Sequence, residues 1–288
     1  MKPIGVLAPG IENRSLTAGT VYEDEPFRQF RNYGGNFRGP MTMRQSSAIS
    51  QNIPFLKAVI DVGTNRSIEF LRSIGLNRIC SERDNNIASL ALGGLTYGSN
   101  ALEMAGAYGA FANGGVFITP TFYTKVTDSN GNVVREAQQE TRRVMSEAAA
   151  FVVTEVLMET GRTGTATNVS VSGMQVASKT GTTNNHFDRW FVGYTPHFTG
   201  AVWFGFDENE TVRWSGANPG SLIWNGVMRP SHQGMPGRSF TRPDGVVTAS
   251  ICRISGLLPT TGCTRRNMVY TEFFVRGTVP TGHCHVHR

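Results

Sequence analysis

Long hydrophobic runs are missing from this 288-residue chain. None approaches the roughly 20 consecutive apolar residues that a membrane-crossing helix requires, and no signal peptide is read in the sequence given. Any membrane anchor is therefore expected outside this sequence. A phosphate-binding glycine loop is also missing. The stretch from Gly173 to Thr180 comes one residue short of it, because Ser178 stands where the second glycine is needed. No nucleic-acid-binding motif and no internal repeat is visible. Cysteine is scarce, with four in the chain, and lysine is absent from residue 229 onward.

Hydrophobic residues make up 39% and aromatics 10%, enough for a proper core in one large domain or two lobes. The formal net charge of +6 is unevenly placed. Residues 229–288 hold eight Arg against one Asp and one Glu, and the remainder balances. A basic tail suits an anionic polymer or a lipid surface. The simpler reading is a solubilising surface on a small appendage.

Cys252, Cys263 and Cys284 all fall near the end of the chain. Cys252 and Cys263 flank Ser255 to Gly262, a stretch able to turn back on itself, so a disulfide between them fits an oxidising compartment. His283, Cys284, His285 and His287 suggest a metal. Their spacing does not supply four converging ligands, and no metal or other cofactor is expected.

The chain order suggests an α/β protein of the α+β kind, with an all-helical lobe beside an antiparallel sheet flanked by helices. Residues 9–40 are rich in Gly, Pro, Asn and charge and read as an irregular surface segment. Pro40 to Thr42 opens a helix through about Ile49, and Pro54 starts another that Gly63 ends. Ser50, Gln51 and Asn52 then sit at the joint between the two. Asn65 reads as the cap of a third helix. Asn100 and Glu103 form a capping box ahead of a small-residue helix, and Asn130-Gly131 marks a hairpin turn. Ser146 caps a long helix that Gly161 stops. Residues 241–288 form a small Cys-containing appendage to a domain covering residues 1–240.

Everything turns on Ser178-Lys179-Thr180-Gly181-Thr182-Thr183. It reads as a strand, followed by two more at Arg189 to Tyr194 and Gly200 to Gly205. A lysine gives this strand a fixed charge, hydroxyls can hold a carboxylate, and Gly181 lets a substrate backbone lie close.

Ser50-Gln51-Asn52 followed far downstream by Lys179-Thr180-Gly181 resembles two of the three motifs of the penicillin-recognising enzymes. Lys2-Pro3 matches the end of the third, Ser-x-x-Lys, whose Ser would lie three residues before Lys2 and ahead of Met1. The likeness extends to Arg38-Gly39-Pro40, to Gly161-Arg162-Thr163-Gly164-Thr165-Ala166, to Trp190 through Pro196 and to the Cys-containing tail. Together these resemble the transpeptidase domain of class A penicillin-binding proteins. Nothing resembles their glycosyltransferase domain, which would precede Met1 together with the membrane anchor.

The resemblance implies a penicillin-binding/β-lactamase-like transpeptidase fold and a D,D-transpeptidase. Such an enzyme joins peptidoglycan stem peptides through a Ser acyl-enzyme and is trapped by β-lactams, on the extracytoplasmic face of a bacterial membrane. It implies Lys2 as general base, its pKa lowered by the nearby charge of Lys179, and Ser50 as proton relay to the leaving amine. It implies that Asn52 orients Lys2 and the substrate amide. Lys179, Thr180 and Thr182 would bind the terminal carboxylate beside Gly181 and Thr183, with the Thr182 N–H as one oxyanion donor. The chain as given is expected not to acylate, because the Ser lies outside it. Two other readings on the same fold are a serine β-lactamase or carboxypeptidase, and a non-catalytic penicillin-sensing or wall-binding module. The first lacks a Glu placed to activate a deacylating water.

Overall fold

The structure is a computed structural model and describes residues 1–287. A π-helical segment, Lys2–Leu7, runs directly into helix α1 (Ala8–Glu12). Strands β1 (Val21–Asp24) and β2 (Gly39–Thr42) follow, then α2 (Met43–Ala48), α3 (Ile53–Val62), α4 (Thr64–Ser73), α5 (Ser81–Asp84), α6 (Ile87–Leu92) and α7 (Ala101–Ala112). Next come β3 (Val116–Ile118), β4 (Lys125–Thr127), β5 (Val133–Glu136) and β6 (Thr141–Arg143), with β3 paired to β6 and β4 to β5. Helix α8 (Glu147–Arg162) leads to β7 (Ala177–Thr182), β8 (Asp188–Tyr194) and β9 (Thr199–Gly205). Helix α9 (Pro219–Ser231), β10 (Val246–Cys252), α10 (Thr261–Arg265) and β11 (Val269–Val275) complete the chain. The helices that flank antiparallel strands give the α+β character read from the sequence.

The lobe that carries Lys2 is built around its own segment. Pro3, Ile4, Gly5, Val6 and Leu7 are all buried, packed among α3, α4 and α6. Gly5 is required there: a Cβ would lie 2.4 Å from the Leu90 carbonyl oxygen. Lys2 therefore projects from a segment locked into the core, which fixes its position.

The second layer is the antiparallel sheet β7–β8–β9, in that order, so that β7 is an edge strand. Alternation along β8 divides its side chains between two cores. Val192 and Tyr194 join Ala177 in the main core with α7 and α8, while Phe191 faces Trp224 and Met228 of α9. Gly193 and Gly200 stand opposite each other in the register. A Cβ on either would come within 3.1 Å or 2.9 Å of the Trp224 indole, so the two glycines make a berth for that ring. The indole N–H donates to the Gly193 carbonyl at 3.1 Å.

The small unit that holds β10 and β11 is bolted to the larger one. Arg44 of α2 donates from Nε to Glu272 Oε2 of β11 at 2.7 Å, from Nη2 to Glu272 Oε1, and from Nη1 to the Glu155 carbonyl of α8 at 2.8 Å. Glu272 is fully buried. The Phe151 and Phe273 rings meet edge to face, 5.7 Å between centroids. Much of the basic tail has internal work. Arg229, Arg242 and Arg276 donate to the carbonyls of Ser170, Val246 and Asp244, and the Arg253 guanidinium lies over the Tyr270 ring.

Several expectations need correction. Residues 9–40 are not simply surface. They contain the rest of α1 and strand β1, and they bury Asp24 and Asn32. Gly39 to Thr42 pairs with β1 as a strand, and α2 begins only after Thr42, which caps it through a reciprocal pair with Gln45. Gly63 rather than Asn65 precedes α4. Helix α8 continues through Gly161 to Arg162, because Gly161 keeps a negative φ and the helix ends instead at Thr163. Helix α9 had no sequence-based counterpart.

The cysteines also differ from expectation. Cys252 and Cys263 form no disulfide; all four thiols are free. The judgement that the terminal histidines and cysteines lack converging ligands fails as well. Cys252, Cys263, Cys284 and His287 bring their donor atoms within 4.8 Å of one another. The partners come from separate elements, which local spacing cannot reveal.

Candidate active site

Three distant pieces of chain meet at one hydroxyl. Ser50 follows the end of α2, Lys179 is the third residue of β7, and Lys2 opens the buried π-helical segment. Lys179 Nζ donates to Ser50 Oγ at 2.7 Å, and Lys2 Nζ stands 3.5 Å from the same oxygen. Lys2 Nζ donates to Asn52 Oδ1 at 2.7 Å. Ser50 adopts φ +60, a left-handed conformation uncommon for a residue with a Cβ. Such strain persists only where the surroundings over-determine it.

The surroundings here are a buried polar post. Asp24 accepts from Gln51 Nε2 at 2.6 Å, from Asn32 Nδ2 at 2.7 Å and from the Arg38 amide at 2.9 Å. Asn32 Oδ1 in turn accepts the backbone N–H groups of Asn52 and Ile53 at 3.0 and 3.1 Å. Asn52 Nδ2 donates to the Arg31 carbonyl at 2.9 Å, which leaves Oδ1 facing Lys2. The joint between α2 and α3 is thus held from below by groups of β1 and the loop after it.

Burial dominates the electrostatics. It lowers the pKa of Lys2 from 10.5 to about 8. Burial first, and the charge of Lys2 second, hold Lys179 well below the usual lysine range. Desolvation of the ammonium is the leading cause for both lysines, with the repulsion between the two amines behind it. At neutral pH the site carries two closely placed amines that release protons more readily than free lysine.

The wall of the cleft is the open edge of β7. The Thr183 N–H donates to the Asp188 carbonyl at 3.2 Å. By antiparallel alternation, the N–H groups of Thr182 and Thr180 then point away from β8, toward open space. Gly181 is required against β8, where a Cβ would lie 2.9 Å from Trp190 Cβ. The Thr180 hydroxyl pairs with that of Thr165 at 2.7 Å.

Residues 1–223 match the family described as "Penicillin binding protein transpeptidase domain", and residues 242–288 match "Penicillin-binding protein 1A, C-terminal domain". The chain belongs to the class A penicillin-binding transpeptidases. It is 34% identical to penicillin-binding protein 1A of Clostridium botulinum, over all of this chain and 37% of that protein. It is 32% identical to penicillin-binding protein 1A/1B of Bacillus subtilis, over 98% of this chain and 33% of that protein. The crystal structure of penicillin-binding protein 1A from Haemophilus influenzae superposes with a TM-score of 0.83 at 25% identity, covering 98% of this chain and 48% of that one. The chain thus spans about a third of the length of the curated relatives it matches.

Within this member of the family, the residues singled out from sequence fall into two groups. Lys2, Ser50, Asn52 and Lys179 converge, with Thr180, Gly181 and Thr182 along the adjoining strand. Thr183 does not join them: its hydroxyl donates to Asp188 Oδ2 at 2.8 Å and accepts the Asp188 N–H at 2.8 Å, closing the β7–β8 connection. Three contributors escaped the sequence reading. Asp24 and Asn32 lie in a stretch without periodicity or a motif. Thr165 belongs to the Gly161–Ala166 stretch, which carried the family likeness without a role. Its N–H donates to the Ala48 carbonyl at 3.1 Å, and neighbouring Gly164 presses so closely on that carbonyl that a Cβ would clash at 2.0 Å.

Proposed function

We infer that the chain is the transpeptidase part of a peptidoglycan-building enzyme. It acts on stem peptides ending in D-Ala-D-Ala and is inhibited by β-lactams, at the extracytoplasmic face of a bacterial membrane. The observation that carries the reading is the position of Ser50 Oγ between Lys179 Nζ at 2.7 Å and Lys2 Nζ at 3.5 Å. A relay hydroxyl between two amines of lowered pKa is what acyl transfer to and from a weak nucleophile needs.

The nucleophile is a Ser one helical turn ahead of Lys2, before Met1. Neutral Lys2, held by Asn52, takes the proton from that Ser as its oxygen bonds to the D-Ala carbonyl carbon. The oxyanion is received by the outward N–H of Thr182 and the N–H of the Ser. When the C–N bond breaks, Lys2 passes that proton through Ser50 Oγ to the departing amine, while the charge of Lys179 and the hydroxyls of Thr180 and Thr182 hold the carboxylate of the leaving D-Ala. An amine from a neighbouring stem then attacks the ester, and the same groups run in reverse.

The test is labelling with a fluorescent penicillin. A chain extended through the Ser and the residues just before it should label stoichiometrically, and the 288-residue chain alone should not. Labelling of the unextended chain, or none of the extended one, overturns the reading.

A further inference from the structure

We propose that Cys252, Cys263, Cys284 and His287 bind a structural zinc ion. Their four donor atoms lie within 4.8 Å of one another, and all four residues are buried. The sulfurs of Cys252, Cys263 and Cys284 stand 3.3, 3.6 and 3.8 Å from His287 Nδ1. A tetrahedral ion with Zn–S of about 2.3 Å and Zn–N of about 2.0 Å requires S···N edges of about 3.5 Å, and the three sulfur–imidazole edges match that length. Three thiolates and one imidazole form a closed, soft set that suits zinc and leaves no position open for a substrate.

The fold places each donor from a different direction. Cys252 ends β10, and Cys263 lies in α10. The Cys284 N–H donates to the Leu258 carbonyl at 2.7 Å, which docks the final stretch beside the turn after β10. The Thr260 hydroxyl reaches the His287 carbonyl, and the Thr260 N–H points at Cys263 Sγ from 3.4 Å. An amide donor at a sulfur is what a thiolate ligand calls for.

A disulfide explains the cluster less well. Three thiols cannot all pair, and any one bond would leave a third thiol and an imidazole buried together. The surroundings supply the need for a cross-link. Among the described residues, the hydrophobic cluster that lies wholly within this unit consists of the three cysteines themselves, backed by Ile254, Met268 and Val269. A unit this small with a two-stranded sheet lacks a core large enough to hold its loops, and a metal does that work in such folds. On coordination the three thiols release their protons to solvent and His287 binds as neutral imidazole, so zinc uptake should be accompanied by proton release.

The test uses the whole chain, purified under reducing conditions. Zinc measured by mass spectrometry of the elements should reach one equivalent. Cobalt(II) put in its place should give the intense visible bands of a tetrahedral ion and a near-ultraviolet thiolate-to-metal band, both abolished by one equivalent of zinc. Cys80→Ser, outside the cluster, should keep both bands. Cys263→Ser should weaken the thiolate band and lower zinc affinity at least a hundredfold. If that variant does not fold, the cobalt spectrum of the unaltered chain decides alone. A folded chain that takes up neither metal, or one whose intact mass shows a Cys252–Cys263 disulfide that persists after zinc is offered with reductant, overturns the proposal.

Discussion

Lys179 and Ser50 lie 129 residues apart in the chain, and their side chains meet at 2.7 Å. The contact joins the edge of the sheet to the joint between α2 and α3, and so closes the cleft between the two lobes. Lys2 reaches the same hydroxyl from the helical lobe.

Lys2 should show its lowered pKa in two ways. The unfolded chain binds the Lys2 proton more tightly than the folded one, so folding stability rises with pH between about 8 and 10.5. Lys2→Met should therefore stabilise the fold at pH 7 by about 3 kcal/mol, and the gain should vanish above pH 10.5. Denaturant unfolding of both chains across this range measures it. In a chain extended through the Ser, β-lactam acylation should rise with pH through about 8, and Lys2→Arg should abolish it.

Asp24→Ala should cost about 2–4 kcal/mol, since it removes the carboxylate that accepts from Gln51, Asn32 and the Arg38 amide and leaves the two side-chain amides only the Asn36 carbonyl. Urea unfolding gives the loss. The Ser50 joint should loosen with it, so acylation of the extended chain should slow by more than Asn36→Ala slows it.

Thr165→Val removes one hydroxyl partner of Thr180. The expected result is a midpoint of thermal unfolding nearly unchanged and an acylation rate reduced several-fold, an effect of about 1 kcal/mol on the barrier. An unchanged rate would place Thr165 outside the carboxylate wall.

Arg44→Met should destabilise by about 3–5 kcal/mol, because Glu272 is left buried without its cation. Arg44→Met combined with Glu272→Leu should recover most of that loss. A double-mutant cycle on chemical denaturation gives the coupling, and additive losses would show that the pair is not coupled.

The strand Ala177–Thr182, the Asn52–Pro54 helix start and the Asn100–Glu103 cap were legible because their signals are local: alternation, a proline, a capping pair. Asp24 and Asn32 were not, because burial of polar residues depends on what packs over them. Helix α9 was hidden because its interior Asn225, Gly226 and Pro230 are poor helix formers, and its stability comes from Trp224 settling over Gly193 and Gly200. Gly161 misled for the opposite reason: a glycine can end a helix but need not. The meeting of Cys252, Cys263, Cys284 and His287 needed the β10–β11 pairing before it could be seen. The desolvation of Lys2 needed the cleft itself, since a neighbouring charge can be guessed from motifs and burial cannot.

Arg44 and Glu272 also bear on exchange of parts between relatives. Residues 242–288 look like a module that could be traded freely. Yet Glu272 is the buried counter-ion of a helix that ends just before the relay hydroxyl. A chimera that inherits Arg44 from one parent and an apolar residue at 272 from the other leaves two buried bonds of that guanidinium unmade, within two turns of Ser50. The two units must therefore be inherited as a matched pair.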